Sequence, residues 1–179
     1  MTRLILLDRD GIINHDSLHY IKSVDEFILI PGSVDAIARL TRAGYKIGVA
    51  TNQSGVSRGL YTEAALQAIH EKMLSLVQKA GGQIDAIEYC IHHPKDKCLC
   101  RKPQPAMLHA LAKRFNCSLQ HVPFVGDRVS DVQTALVAGA EPVMVLSSMT
   151  ELIGLKAYPQ VPIFHSLAEY VDQLLSQQS

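Results

Sequence analysis

Leu4-Ile5-Leu6-Leu7-Asp8-Arg9-Asp10-Gly11 is an apolar run that stops abruptly in charged residues and then glycine. Four consecutive apolar residues are too few for a helix and fit a strand buried on both faces, and glycine lets the chain turn sharply after the acids. The pattern recurs outward from there. Residues 46–50, 87–91, 122–125, 143–146 and 161–164 are further strand candidates, separated by segments of helical period. Ser33 is expected to cap a helix stopped by Gly44, and Thr62 one stopped by Gly81-Gly82. Pro105 suits the first position of a helix burying Leu108, Leu111, Ala112 and Phe115, and Ser130 suits the start of one ending at Gly139. Ser166 and Glu169 have capping-box spacing ahead of the stripe Leu167, Tyr170, Val171, Leu174 and Leu175.

Strands alternating with helices predict an α/β fold with a Rossmann-like, mainly parallel sheet and helices on both faces. At 179 residues, with 47% hydrophobic and 19% charged content, the chain is expected to form one domain over 1–175, with a frayed tail at 176–179. Seventeen Lys plus Arg against 17 Asp plus Glu give net zero charge, which argues against a nucleic-acid partner. No apolar run is long enough to span a bilayer, so neither an anchor nor a signal peptide is expected. The four cysteines are therefore expected to be reduced, and three of them, Cys90, Cys98 and Cys100, cluster.

Ligands of an open α/β sheet bind beyond the carboxyl ends of the strands. Four of those ends are polar: Asp8 to Gly11, Thr51-Asn52-Gln53-Ser54-Gly55, His92-His93 leading to Arg101-Lys102-Pro103, and Gly126-Asp127-Arg128 followed by Asp131. Asp8 and Asp10 joined by Asp127 make a set of oxygen ligands suited to Mg²⁺. A carboxylate, a hydroxyl, a lysine and Mg²⁺ around one point are what phosphoryl transfer through an aspartyl-phosphate requires. Asp131 is open between a part in that site and a simple preference for a helix N-terminus.

Asp8-x-Asp10-Gly11, then Thr51, then Lys102, then Gly126-Asp127 through Asp131 resemble, in that order, the four motifs of the haloacid dehalogenase-like phosphatases. The resemblance implies that Asp8 attacks phosphorus, while Asp10 protonates the leaving alkoxide and later activates water, a role that calls for a raised pKa. It further implies that Thr51 cradles and Lys102 neutralises the phosphoryl group, and that Asp8, the backbone carbonyl of Asp10, and Asp127 hold Mg²⁺. Arg9, Gly11, Asn52, Gln53, Ser54, Arg58, Arg101 and Arg128 are the candidate substrate contacts. Ile12 stands where many relatives carry Thr, a departure that touches no catalytic carboxylate.

Cys90-x-His92 and Cys98-x-Cys100 offer three thiolates and an imidazole for a closed structural Zn²⁺ site within a loop at 90–100, with His93 competing for the imidazole place. Cys117 and the histidines at 15, 19, 70, 109, 121 and 165 have no ligand spacing. The loop, continuing into Arg101-Lys102-Pro103, resembles that of the D-glycero-D-manno-heptose 1,7-bisphosphate phosphatases and their histidinol-phosphate phosphatase relatives, in which the pattern favours His92. Ile91 replaces a common Pro. Such a site would aim Arg101 and Lys102.

The intervals from Asp10 to Thr51 and from Thr51 to Lys102 leave no room for a lid domain, so recognition is expected from loops 14–31, 52–61 and 92–101. Thr51 to Gly59 resembles the heptose branch more than the histidinol branch. That resemblance implies removal of the 7-phosphate of a heptose 1,7-bisphosphate, supplying ADP-heptose for lipopolysaccharide core, by a cytoplasmic monomer whose partner is a small phosphorylated sugar and neither nucleic acid nor membrane. Histidinol phosphate is the alternative substrate. A polynucleotide 3′-phosphatase fits poorly with zero net charge and few aromatics. A receiver-like module holding a signalling phosphate would have no use for Asp10.

Overall fold

The computed structural model describes residues 2–178. Its six strands are β1 (Arg3–Leu7), β2 (Tyr45–Asn52), β3 (Ala86–Cys90), β4 (Pro123–Gly126), β5 (Glu141–Val145) and β6 (Ile163–Phe164). They form one sheet in the order β3-β2-β1-β4-β5-β6, and every pair is parallel. The helices are α1 (Ser33–Arg42), α2 (Glu63–Lys79), α3 (Ala106–Arg114), α4 (Val129–Ala138), the short α5 (Leu152–Leu155) and α6 (Leu167–Ser176).

The opening apolar run explains the layering. Ile5 and Leu7 pack with Ile37 and Leu40 of α1, Ile69 and Met73 of α2, and Val171 of α6. Leu4 and Leu6 face the other way, onto Leu108 and Leu111 of α3 and Ala135 of α4. Successive strand side chains point to opposite faces, so a strand covered by helices on both sides must be apolar at every position. Each such fully buried aliphatic side chain contributes roughly 1.5–3 kcal/mol.

The helix ends depart in detail from the sequence expectations. Thr62 and Ser166 do accept the Ala65 and Glu169 amides. Glu169, however, accepts from His165 N rather than from Ser166 N, so the box is not reciprocal. Ser33 is the first helical residue and not the cap; Gly32, at φ +85°, makes the entry turn, and the Ser33 hydroxyl instead donates to the Ile12 carbonyl. Pro105 stands at the cap, one residue before the helix, and α4 begins at Val129 rather than Ser130. Within the expected frayed tail, Ser176 is the last residue of α6, and the Gln178 amide donates to the Tyr45 hydroxyl and accepts from Arg3. Ser179 lies outside the described residues.

Candidate active site

Asp8 continues β1 past its end, donating its amide to the Val125 carbonyl of β4 at 2.8 Å. Its Oδ1 accepts the Arg9 N–H at 2.7 Å and lies 3.0 Å from Lys102 Nζ. Lys102 is only 4% exposed, and its ammonium also reaches Asp131 Oδ1 at 2.7 Å and the Ala50 carbonyl at 3.0 Å. Burial works against the lysine's charge, but Asp131 and Asp8 more than offset it, so its pKa rises above the ordinary value. Asn52 clamps the Lys102 backbone from both sides: its Oδ1 accepts the Lys102 N–H at 3.0 Å, and its Nδ2 donates to the Lys102 carbonyl at 3.2 Å. Asn52 lines the cleft as expected of a substrate contact, yet its amide is spent on holding the lysine.

Asp127 follows β4. Its Oδ2 accepts from Ser147 Oγ at 2.6 Å, its carbonyl accepts from Thr150 Oγ1 at 2.6 Å, and its Oδ1 is buried without a partner. Oxygens of Asp8, Asp127 and Asp131 all lie within 4.8 Å of one another. Burial pushes Asp127 up to about 7, and the Asp131 charge adds to the rise. Asp8 is raised well above the carboxylate range by burial and then by Asp131, with Lys102 opposing. A buried orphan acceptor among mutually repelling carboxylates fits a hard divalent cation. Asp131 serves this cluster and the helix end together, since its Oδ2 also accepts the amides of Asp127 and Arg128 at 3.2 and 3.1 Å. The close approach needs glycine at two points: a Cβ on Gly126 would stand 2.3 Å from the Asp131 Cβ, and one on Gly11 2.1 Å from Asp127 Oδ2.

Two of the expected substrate contacts stand off the cleft wall. Arg9 is fully buried behind the cleft, where its Nε and Nη2 donate to Asp10 Oδ1 at 3.0 and 2.8 Å and its Nη1 meets His70 Nε2 at 3.1 Å. A guanidinium shut off from water must be paired, and Asp10 is the carboxylate within reach. Gly11 likewise presents its backbone to Asp127 and does not line the cleft. Asp10 is corrected in charge. Burial raises its pKa, but Arg9 and hydrogen bonds from Asn14, Arg9 and Gln53 outweigh burial and hold it below the usual carboxylate value. The role of general acid calls for a raised pKa, whereas the protein groups around Asp10 favour its ionised form.

Gln53 donates from Nε2 to both Asp10 Oδ2 and Thr51 Oγ1, each at 2.9 Å, and its Oε1 accepts the Tyr61 hydroxyl at 2.6 Å. Thr51 itself is 1% exposed at the end of β2 and does not line the cleft directly. The cleft, of about 310 Å³, is walled by Asp8, Asp10, Lys102 and Asp127 at its base. Gln53, Ser54 and Arg58 line it from one loop and Arg101 from another, while Asp16 and Tyr20 come from the loop after β1. Arg58 lies over the Tyr20 ring and reaches the Ser54 hydroxyl at 3.4 Å. Arg101 Nη1 is buried and has no protein partner, whereas Arg128 Nε is held by Glu151 at 2.9 Å. The loop after β5, with Ser147, Thr150 and Glu151, also reaches Asp127 and α4 and carries no motif that marks it, although it too is polar chain beyond a strand's carboxyl end.

At the end of β3, Cys90, His92, Cys98 and Cys100 bring one ligand atom each within 4.8 Å of the others. His92 Nδ1 lies 3.4 Å from Cys90 Sγ and 3.1 Å from Cys100 Sγ. Cys98 Sγ lies 3.7 Å from both other sulfurs. Ligand bonds of about 2.0–2.3 Å around a tetrahedral ion span edges of about 3.3–3.8 Å, which the Cys98 distances match, while Cys90 and Cys100 Sγ stand closer together at 2.9 Å; three thiols and an imidazole gathered so closely are a donor set that fits Zn²⁺. His93 is occupied elsewhere, its Nδ1 accepting the Lys95 N–H at 3.1 Å in a short 3₁₀ turn.

A parallel sheet that gathers an acid pair, a lysine and a second acid pair at its carboxyl edge is the design of a phosphoryl-group hydrolase, and residues 3–139 match the model of the haloacid dehalogenase-like hydrolases. The chain belongs to that family. It is 47% identical over 174 residues to a D-glycero-β-D-manno-heptose-1,7-bisphosphate 7-phosphatase of Pseudomonas putida, covering 97% of this chain and 99% of that one. Among solved structures it resembles a D,D-heptose 1,7-bisphosphate phosphatase from B. bronchiseptica in complex with magnesium and phosphate, at TM-score 0.91 and 43% identity, covering 98% of this chain and 99% of that one. A phosphatase of the same name from Burkholderia thailandensis superposes at TM-score 0.74 and 35% identity, with coverage of 98% and 99%. Membership of a hydrolase family removes the receiver-like alternative.

Proposed function

We propose that this chain is a Mg²⁺-dependent phosphatase that removes the 7-phosphate of D-glycero-β-D-manno-heptose 1,7-bisphosphate. The observation that carries the reading is the buried Asp8–Lys102–Asp131 cluster beside the unpartnered Asp127 Oδ1. Asp8 attacks the phosphorus in line, forming the aspartyl-phosphate as the bond to the sugar oxygen breaks. Lys102 neutralises charge between the nucleophile and the phosphoryl oxygens, and Asn52 keeps it there. Asp10 gives a proton to the leaving oxygen and then takes one from the water that cleaves the aspartyl-phosphate. Arg9, Asn14 and Gln53 hold the pKa of Asp10 down, so the proton is to be gained on binding, where a phosphoryl dianion beside it raises the pKa by like-charge repulsion. Mg²⁺ bound by Asp8, the Asp10 carbonyl and Asp127 would supply stabilisation of the developing negative charge.

The second phosphate of the substrate needs a cation away from the reacting centre, and Arg101, with a buried guanidinium nitrogen free of protein partners, supplies it. Zn²⁺ held by Cys90, His92, Cys98 and Cys100 would fix the loop that delivers Arg101 and Lys102. We further propose a monomer working in the cytoplasm, where the four cysteines would stay reduced; no described helix is long and apolar enough to cross a membrane. A steady-state comparison of the β and α heptose bisphosphates with histidinol phosphate tests the assignment. The expected order of kcat/KM puts the β bisphosphate first; a higher value for histidinol phosphate would overturn it.

A further inference from the structure

Loop 147–151 reaches the catalytic acids through two hydroxyl groups. Ser147 Oγ lies 2.6 Å from Asp127 Oδ2, and Thr150 Oγ1 lies 2.6 Å from the Asp127 carbonyl. The loop itself fixes the direction of both bonds. Ser147 Oγ accepts the Met149 N–H and Thr150 Oγ1 accepts the Ser147 N–H, each at 3.0 Å, and the Asp127 oxygens accept, so both hydroxyl hydrogens point at Asp127. Gly11 closes the other side of Oδ2, where even a methyl group would not fit. With Oδ2 held in this way, Oδ1 is the oxygen of Asp127 left buried and unpartnered.

We propose that Ser147 is a positioning residue for the divalent cation: by occupying Asp127 Oδ2 it fixes the plane of the carboxylate and commits Oδ1 to the metal. The inference rests on the reading of Asp127 as a Mg²⁺ ligand. Glu151, at the far end of the same loop, holds Arg128 Nε and the Val129 amide, both at 2.9 Å, so a single loop ties the metal-facing acid to the first turn of α4. Partners that hydrogen-bond a metal ligand typically change metal affinity by about 10- to 100-fold when removed. A hydroxyl that merely closed its own loop would leave metal affinity where it is.

The test is isothermal titration of Mg²⁺ into the full chain, freed of Mg²⁺ by dialysis and keeping any zinc, for wild type, Ser147→Ala, Ser147→Thr, Ser147→Val and Asp127→Asn. Ser147→Ala is expected to weaken Mg²⁺ binding by about tenfold or more, with kcat recovering as Mg²⁺ is raised to saturation. The Thr and Val variants share a shape and differ in the hydroxyl, so the same gap between them carries the test where alanine loosens the loop. Equal affinity in Thr and Val, with binding lost in Asp127→Asn, would overturn the role of Ser147 and leave the metal site standing. Wild-type affinity in Asp127→Asn would overturn the metal reading, and this inference with it.

Discussion

At the scale of single residues the two acids that follow β1 are two apart in sequence and opposite in environment. Asp8 is crowded by like charges and answered by one lysine, whereas Asp10 is surrounded by donors, from Arg9 and Asn14 on Oδ1 and Gln53 on Oδ2. The division of labour follows and is open to test by leaving group. Asp8→Asn is expected to abolish turnover and aspartyl-phosphate formation on every substrate. Asp10→Asn is expected to cost about 10²-fold or more on the sugar phosphate, whose alkoxide needs a proton, and much less on an aryl phosphate, whose phenolate does not. Steady-state rates on the two ester types read this directly, and equal losses would remove Asp10 from the proton-transfer role. Gln53 is part of the same arrangement, because the Tyr61 hydroxyl on its Oε1 keeps the amide N–H turned toward Asp10.

Among the elements, the cysteine loop is where a small sequence feature has the largest structural reach. It runs from the end of β3 with a short 3₁₀ turn as its sole regular structure, so the proposed Zn²⁺ would supply much of what ties its lengths of chain together. Cys98→Ser is expected to lower the zinc content from one per chain and the melting temperature with it, measured by elemental analysis and calorimetry; full thermal stability without zinc would show that the loop holds itself. This loop was legible in the sequence because ligand spacing is local. So were the strands, since a sheet buried on both faces leaves unbroken apolar runs, and so were the acids at their ends. What could not be read was pairing across the fold. Arg9 sits inside the first motif, and nothing local tells that a residue of α2, His70, and the Phe27 ring wait behind it. Helix starts fall one residue from the expected positions at Ser33, Pro105 and Ser130; at Ser33 the reason is a tertiary partner, the Ile12 carbonyl, which takes the hydroxyl that would have capped the helix.

For the whole molecule, His70 makes stability depend on pH. Burial, and then the neighbouring Arg9 charge, drive its pKa down to about 3, so it stays neutral in the folded chain while the unfolded chain takes up a proton near the ordinary value of about 6.5. Between those values the unfolded state binds more protons, and stability is lost as pH falls below about 6.5. The loss from this group reaches roughly 2 kcal/mol by pH 5. Denaturant unfolding of wild type and His70→Gln across pH 5–7.5 should show it as a difference that shrinks toward acid, and parallel curves would exclude the histidine. The central place of β1 has a further result in time. Its partner β4 is registered through Leu6 with Phe124 and Leu7 with Val125, residues far apart along the chain, whereas β2 and β3 can meet across a single helix. Closing so long a loop is entropically slow. Asp8 and Asp127 hang from the two strands whose pairing closes the longest loop of the sheet, so during refolding enzymatic competence should lag the recovery of helical signal, and a half-assembled sheet should possess none of it.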